Sequence, residues 1–344
     1  MSSSVTPTTV PESRRKYCDY GGRFDIMDIM RNQRHLIRGL AAAVIALAIV
    51  LVAAPYDQNG ASMDAYAQSD ESEYIQEILA WDERRAKGLV RPTGWMSVVG
   101  LHLLSPGDNT FGSASDNALV FPEKAPVHAG ILRETDGVVT IEVTDGVVIT
   151  LDESPVTTMT LGKDVDDTTT VLNMGSFQFY IIERNNSSYV RLKDTDCEAC
   201  KDFQGIERFK ISPEWRIEAK WLPYDPPKEI EIPTIVGYVA KETTPGVAEF
   251  TVDGKTVRLE PTGDPADQLF FVFADLTTEF ETYGGGRYLY TGPVDSNGIV
   301  ILDFNKAYNP PCVFTNYATC PLPRAVNRMD IRLEAGEKMY GGEH

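Results

Sequence analysis

Histidine is scarce in this sequence, with four in 344 residues, and His35 and His344 lie in an N-terminal leader and at the final position. A serine or cysteine triad, a multi-histidine zinc site or a histidine acid/base pair would have to be built from His102 and His128 alone, which weighs against all three. Basic residues are also in short supply, 32 Lys+Arg against 50 Asp+Glu, for a formal net charge of −18. A phosphate-reading surface needs clustered Lys and Arg to displace counterions, so no nucleic-acid partner is expected. There is no Gly-rich phosphate loop opening a helix and no fixed-period repeat, which excludes P-loop and Rossmann architectures. No metal or cofactor is called for.

Only one long apolar run is present, Gly39 to Ala54, uncharged and preceded by Arg31, Arg34 and Arg38. Basic residues stay on the cytoplasmic side of such a run, so the remainder of the chain is expected outside the cytoplasm. Residues 36–54 read as a transmembrane anchor or signal segment, at the short edge of what spans a bilayer. Ala65-Tyr66-Ala67 has the small-x-small form of a cleavage site. Retained anchor and cleaved, secreted form are both open. Residues 1–35 read as a disordered cytoplasmic leader and 55–72 as a polar linker. The acid excess lies beyond them, since residues 73–344 carry 25 basic and 42 acidic side chains. A solvated acidic surface suits a cation-rich exterior.

With 42% hydrophobic and 10% aromatic residues, the body of the chain has material for a core. Ser72 is positioned to cap a helix, EYIQEILAWDERRAKG, with Ile75, Ile78, Leu79 and Trp81 on one face and Gly88 as its stop. From Gly94 onward the pattern changes to short β-rich runs divided by Gly, Pro, Asn and Asp, among them 138–143, 177–183, 189–193, 230–240, 255–260, 269–273, 299–304 and 332–333. Asp136-Gly137, Asp145-Gly146, Asp253-Gly254 and Asn297-Gly298 supply hairpin turns between such runs. The expected fold is all-β: an antiparallel sandwich or barrel-like set of sheets, in a single domain over 73–344, with one N-terminal helix packed on the edge.

Chemistry-bearing residues concentrate near the C-terminus. Tyr283-Gly-Gly-Gly-Arg287 is followed by DFNKAYNPPCVFTNYATCPLP, starting at Asp303. No helix comes after the glycines, so they read as a bulge or close backbone approach. Asp303 and Glu337 are the acid/base candidates, with Arg287 as an orienting cation. Asn305, Tyr308, Asn309 and Tyr317 are candidates to bind a small polar ligand. The structural alternative is that the Asn and Asp side chains satisfy backbone groups of a Pro-rich loop and that Arg287 pairs with an internal acid.

The string from Asp303 to Pro323, with Asn327 and Ala335-Gly336-Glu337-Lys338 after it, resembles the bacterial and archaeal family known as domain of unknown function 1684. Gly94-Trp95-Met-Ser-Val-Val-Gly100-Leu, Phe203-Gln-Gly205 and Trp215-Arg-Ile-Glu-Ala219 are similar to it as well, so the likeness runs from about residue 75 to 340. It implies a domain boundary and no established activity.

Of five cysteines, four lie after the apolar run. Outside the cytoplasm an even count supports disulfides, and Cys312 and Cys320, flanked by prolines, are expected to staple a short loop. Cys197-Glu-Ala-Cys200 leaves three readings: a tight local disulfide, half of a four-cysteine zinc site, or a redox pair. His102, in an apolar stretch, and the four tryptophans read as core or boundary residues, although a tryptophan could face a sugar-binding groove. Two functions are consistent with these residues: an exported, membrane-anchored binding or structural module of the cell exterior, or a hydrolase-type enzyme on a small polar or carbohydrate substrate.

Overall fold

The computed structural model describes residues 61–341, apart from Asp167. The expected leader and the apolar segment 36–54 lie outside the described residues, as do Cys18, His35 and His344. Among the described residues no helix is long and apolar enough to cross a membrane.

Helix α1 spans Ala61–Leu89. It begins well before Ser72 and takes in most of the segment expected to be a linker, because no Gly or Pro interrupts residues 61–87 and Ala61, Met63, Ala65 and Ala67 favour helix. The Gly88 stop falls one residue short of its observed end. Beyond it, Gly94 packs so closely on the helix terminus that a Cβ there would lie 2.2 Å from the Leu89 carbonyl oxygen.

The strands after α1 are mostly antiparallel and, apart from β12 and β13, short. In chain order they are β1 (Val98–Leu103), β2 (Gly107–Gly112), β3 (Leu119–Val120), β4 (Gly130–Thr135), β5 (Val138–Val143), β6 (Thr150–Leu151), β7 (Ser154–Pro155), β8 (Thr158–Leu161) and β9 (Leu172–Met174). Then come β10 (Phe177–Arg184), β11 (Ser187–Asp194), β12 (Arg216–Pro233), β13 (Val239–Val252), β14 (Lys255–Leu259), β15 (Thr262–Asp264), β16 (Gln268–Phe273), β17 (Arg287–Thr291) and β18 (Ile299–Asp303). They form four sheets, ordered β1-β11-β10-β9-β6-β7, β3-β2-β4-β5-β8, β14-β13-β12-β18 and β15-β16-β17. The short β2–β3 pairing is parallel.

Turn chemistry sets the registers. Asp136 and Gly137 adopt φ 49° and 82° between β4 and β5, and Asp253 and Gly254 adopt 50° and 75° between β13 and β14. Two successive positive φ values are what a two-residue hairpin with the natural strand twist requires. The same geometry recurs at Asn185 and Asn186 between β10 and β11, where no glycine announces it. The run expected over 230–240 is not one strand. It folds back at Gly237, φ 90°, so that Pro233 pairs with Val239 in a long β12–β13 hairpin. Its tip is tied down where the Ile235 amide donates to the Cys320 carbonyl at 2.9 Å and the Leu322 amide to the Pro233 carbonyl at 2.8 Å. Residues 332–333 are not part of a strand, and Leu333 is buried in the apolar cluster with Phe271, Phe273 and Leu302.

Two large apolar clusters result. One gathers Phe111, Phe121, Phe179, Val190 and Leu192, the other Phe250, Phe271, Phe273, Leu302 and Phe304. Each buried Phe or Leu contributes about 1.5–3 kcal/mol. A third, smaller cluster holds Tyr288, Tyr308 and Cys320, with Trp81 and Trp95 packed against it.

Candidate functional site

The buried face of α1 is more polar than its sequence suggests. Tyr74, Ile78, Trp81, Asp82, Arg85 and Leu89 recur at helical spacing, and that stripe meets the Asp303–Lys338 segment. The Tyr74 hydroxyl donates to Asp303 Oδ1 at 2.7 Å and accepts from Asn305 Nδ2 at 2.9 Å. Lys306 Nζ reaches Glu77 at 2.7 Å. Arg85 Nε binds Glu337 Oε1 at 3.0 Å, its Nη2 donates to the Asn309 carbonyl at 2.8 Å, and its guanidinium lies 4.5 Å above the Tyr308 ring. Asp82 faces Arg208 Nη1 at 3.5 Å, and Arg208 Nη2 donates to the Asn305 carbonyl at 2.6 Å.

Most of the candidate residues therefore have an internal role. Arg287 is 1% exposed, and its Nη2 binds Asp275 Oδ2 at 2.7 Å and the Leu333 carbonyl at 3.0 Å, while Nη1 donates to the Ala335 carbonyl. Burial presses the Arg287 pKa below its ordinary value and the Asp275 carboxylate opposes that shift. Asp275 is fixed in turn by the amides of Thr277, at 2.7 Å, and Leu333, at 3.3 Å. Asn305 bridges both backbone groups of Ser212, and Asn309 Nδ2 donates to the Lys338 carbonyl at 2.6 Å. Tyr308 is buried beneath Arg85, whereas Tyr317 is exposed. Gly286, with φ 82°, is a close approach: a Cβ there would lie 2.4 Å from Pro323 Cγ and 2.5 Å from the Phe273 carbonyl oxygen.

Asp303, Glu337 and Arg287 do not converge on a shared pocket. None of them lines either of two shallow grooves. The first, about 630 Å³, lies between Leu79, Asp82 and Glu83 of α1 and residues 204–207 and 339–341. The second, about 530 Å³, is walled by Trp215 with Lys210, Ser212, Asp253, Arg332 and Glu334. Asp303, Glu337 and Arg287 each hydrogen-bond a different side chain, Tyr74, Arg85 and Asp275 respectively. Tyr74, Glu77, Asp82 and Arg85 of α1, with Arg208, Asp275 and Lys306, are members of the network absent from the sequence candidates; for the α1 residues the signal available was a polar side chain at each turn beside Ile78 and Leu89.

Glu337, 1% exposed, carries a pH-dependent cost. Its burial raises the carboxyl pKa above the ordinary 4.5, and Arg85 and the Asn309 amide at 2.7 Å oppose that rise. A raised folded-state pKa gives stability that is full below the unfolded value and is lost as pH rises through the folded one. Urea midpoints measured from pH 4 to pH 7 are expected to lose this component in Glu337→Gln, flattening the profile; an unchanged slope counts against it.

The cysteines require a correction. Cys197 and Cys200 are paired at disulfide distance, Cα to Cα 5.5 Å across one turn of helix α2 (Glu198–Lys201), the geometry of the tight local bridge. The staple expected between Cys312 and Cys320 is not formed. Both are free thiols, and Cys320 Sγ instead accepts the Cys312 amide at 3.2 Å. Hydrogen bonds from Cys320 and Tyr283 hold the Cys312 thiol below its ordinary pKa, while burial pushes Cys320 well up. Alkylation of native protein followed by peptide mass spectrometry is expected to label Cys312 first, Cys320 only on unfolding, and Cys197 and Cys200 only after reduction. His102 is half-buried against Phe121, ring centroids 5.2 Å apart, with its pKa lowered by burial. Among the described residues no group of three or more His, Cys, Asp or Glu side chains is placed to hold a metal ion.

The fold and the polar network together define a mostly β-sheet protein whose C-terminal loops are cross-linked from within. Residues 201–338 match the family described as Protein of unknown function (DUF1684). The matched span is shorter than the 75–340 expected from the individual motifs. No curated protein matches the chain. Among solved structures, it is similar to an uncharacterized protein of Haloarcula marismortui determined by solution NMR, at 29% identity over 42% of this chain and 80% of that one, TM-score 0.36. It is also similar to an FHA domain crystallised with an intracellular domain, at 17% identity over 27% of this chain and 97% of that one, TM-score 0.19.

Proposed function

We propose that the chain is an exported, membrane-anchored binding or structural module of the cell exterior. In this reading its sheets stack as a sandwich-like domain with α1 along one edge, and residues 36–54 hold it at the membrane or are cleaved to release it. The observation that carries the module reading is the internal use of Asp303, Asn305, Arg287, Asn309 and Glu337: the densest polar segment of the sequence supports the fold instead of facing a cleft. The export reading rests on the apolar run behind three arginines. A small polar ligand is accommodated best beside Trp215, whose ring walls a groove carrying both charge signs.

The test is protease shaving of intact cells expressing the chain with an epitope after residue 341. Loss of the epitope without lysis, while a cytoplasmic marker survives, is the expected result. An epitope protected until lysis overturns the export reading. The membrane or medium fraction that holds the chain distinguishes anchor from secreted form.

A further inference from the structure

Buried and half-buried arginines of the described residues meet carboxylates, as Arg85 does with Glu337, Arg208 with Asp82 and Arg287 with Asp275. Arg191 does not. It is 5% exposed, yet its Nε and Nη2 have no hydrogen-bond partner, and among the described residues no carboxylate lies within ion-pair distance. In a chain with 50 acidic side chains, two buried guanidinium donors without an anion are costly and out of character.

The two open donors matter for their placement. Nε and Nη2 share one edge of the guanidinium, the fork that accepts two oxygens of a single carboxylate or phosphate. Arg133 shows the same fork closed in this protein, its Nε and Nη2 on the two oxygens of Asp108 at 2.5 and 3.2 Å. Arg191 and Arg91 both act electrostatically on Lys193, which brings three cations into one neighbourhood. Lys193 lies two residues along β11 on the same face, opposite the side of Val190 and Leu192, and its Nζ donates to the Thr93 carbonyl at 2.6 Å. Arg91 belongs to the turn closed by the Gly94 amide on the Arg91 carbonyl at 2.7 Å, and Trp95, next on that turn, places its ring 5.1 Å from the Arg191 guanidinium. Burial, with Arg191 and Arg91 nearby, pushes the Lys193 pKa down to about 8. The scaffold beneath is firm, since β11 is hydrogen-bonded on both sides, Arg191 standing between Leu101 of β1 and Tyr180 of β10.

We propose that Arg191, Lys193 and Arg91 form a receptor for an oxyanion group, a phosphate or a carboxylate, with Trp95 as its cover. The anion takes the Arg191 fork, and Lys193 and Arg91 supply the remaining charge. Trp95, stacked on the guanidinium, shifts as the anion enters. This site is separate from the Trp215 groove and holds whichever side of the membrane the domain occupies.

The experiment uses the full chain at constant ionic strength, titrated with inorganic phosphate or with acetate and compared with chloride, reading thermal midpoint and tryptophan fluorescence. Saturable responses absent in chloride are expected, and Trp95→Phe removes the fluorescence change. Phosphate acting alone assigns a tetrahedral anion, and acetate acting alone a carboxylate. Arg191→Gln is expected to weaken the response roughly tenfold or more, and Lys193→Gln or Arg91→Gln by roughly threefold. A wild-type chain that responds to neither anion beyond chloride overturns the proposal. So does a wild-type response retained in full by Arg191→Gln or, should that variant not fold, by both Lys193→Gln and Arg91→Gln.

Discussion

Asp275→Ala is expected to destabilise the protein by roughly 3–5 kcal/mol, the range seen when one partner of a buried ion pair is removed. The side chains of Asp275 and Arg287 are 0% and 1% exposed, so the abandoned guanidinium has no route to water. Its two carbonyl partners, Leu333 and Ala335, cannot neutralise its charge. The loss spreads, because Asp275 also fixes the amides of Thr277 and Leu333. At roughly 2–4 °C per kcal/mol for a domain of this size, the thermal midpoint falls by about 10 °C. The double variant Asp275→Ala with Arg287→Met recovers much of that loss, since neither charge is then stranded. A single variant within about 1 kcal/mol of wild type in urea melts would show that Arg287 finds other compensation.

Arg85→Ala has an effect of similar size by a different route. It removes the cation facing Glu337, the donor to the Asn309 carbonyl and the guanidinium stacked on Tyr308 in one step. Glu337 is then buried without its counter-charge, a loss of roughly 3–5 kcal/mol. Part of the response is local: α1 loosens from the 303–338 segment before the sheets melt. Limited proteolysis is expected to cut within 61–89 well before the strands, and Arg85→Ala with Glu337→Gln regains part of the resistance. If α1 of the single variant resists protease as in wild type, Tyr74 and Ile78 are sufficient to hold the helix.

These two pairs also mark the limit of what the sequence discloses. Hairpins at Asp136-Gly137 and Asp253-Gly254 are legible because positive φ at both positions has a local residue signature, as are strands such as 177–184, where buried and half-buried residues alternate over 177–181. The β12–β13 hairpin is less so, because its continuous apolar and β-branched stretch conceals the reversal at Gly237. The early start of α1 depends on weak helix propensities in a polar segment that composition alone reads as linker. For the site, the concentration of Asp, Asn, Tyr and Arg near the C-terminus is visible, but not that α1 supplies its partners. Arg85 looks like an ordinary surface arginine until Ile78 and Leu89 are seen to bury on the same side. Arg191 carries no motif at all; its isolation from every carboxylate among the described residues emerges only from the strand order.

The contacts that seat α1 join positions far apart in the chain, 229 residues between Tyr74 and Asp303 and 252 between Arg85 and Glu337. A chain emerging linearly from a ribosome holds α1 without its seat until residues 303–338 arrive, and closing so long a loop becomes favourable only once the intervening sheets stand. The domain thus locks late and in a single act. A stalled or truncated product keeps Arg85, Trp81 and the rest of that face uncovered, which makes incomplete chains easy for proteases and chaperones to tell from complete ones.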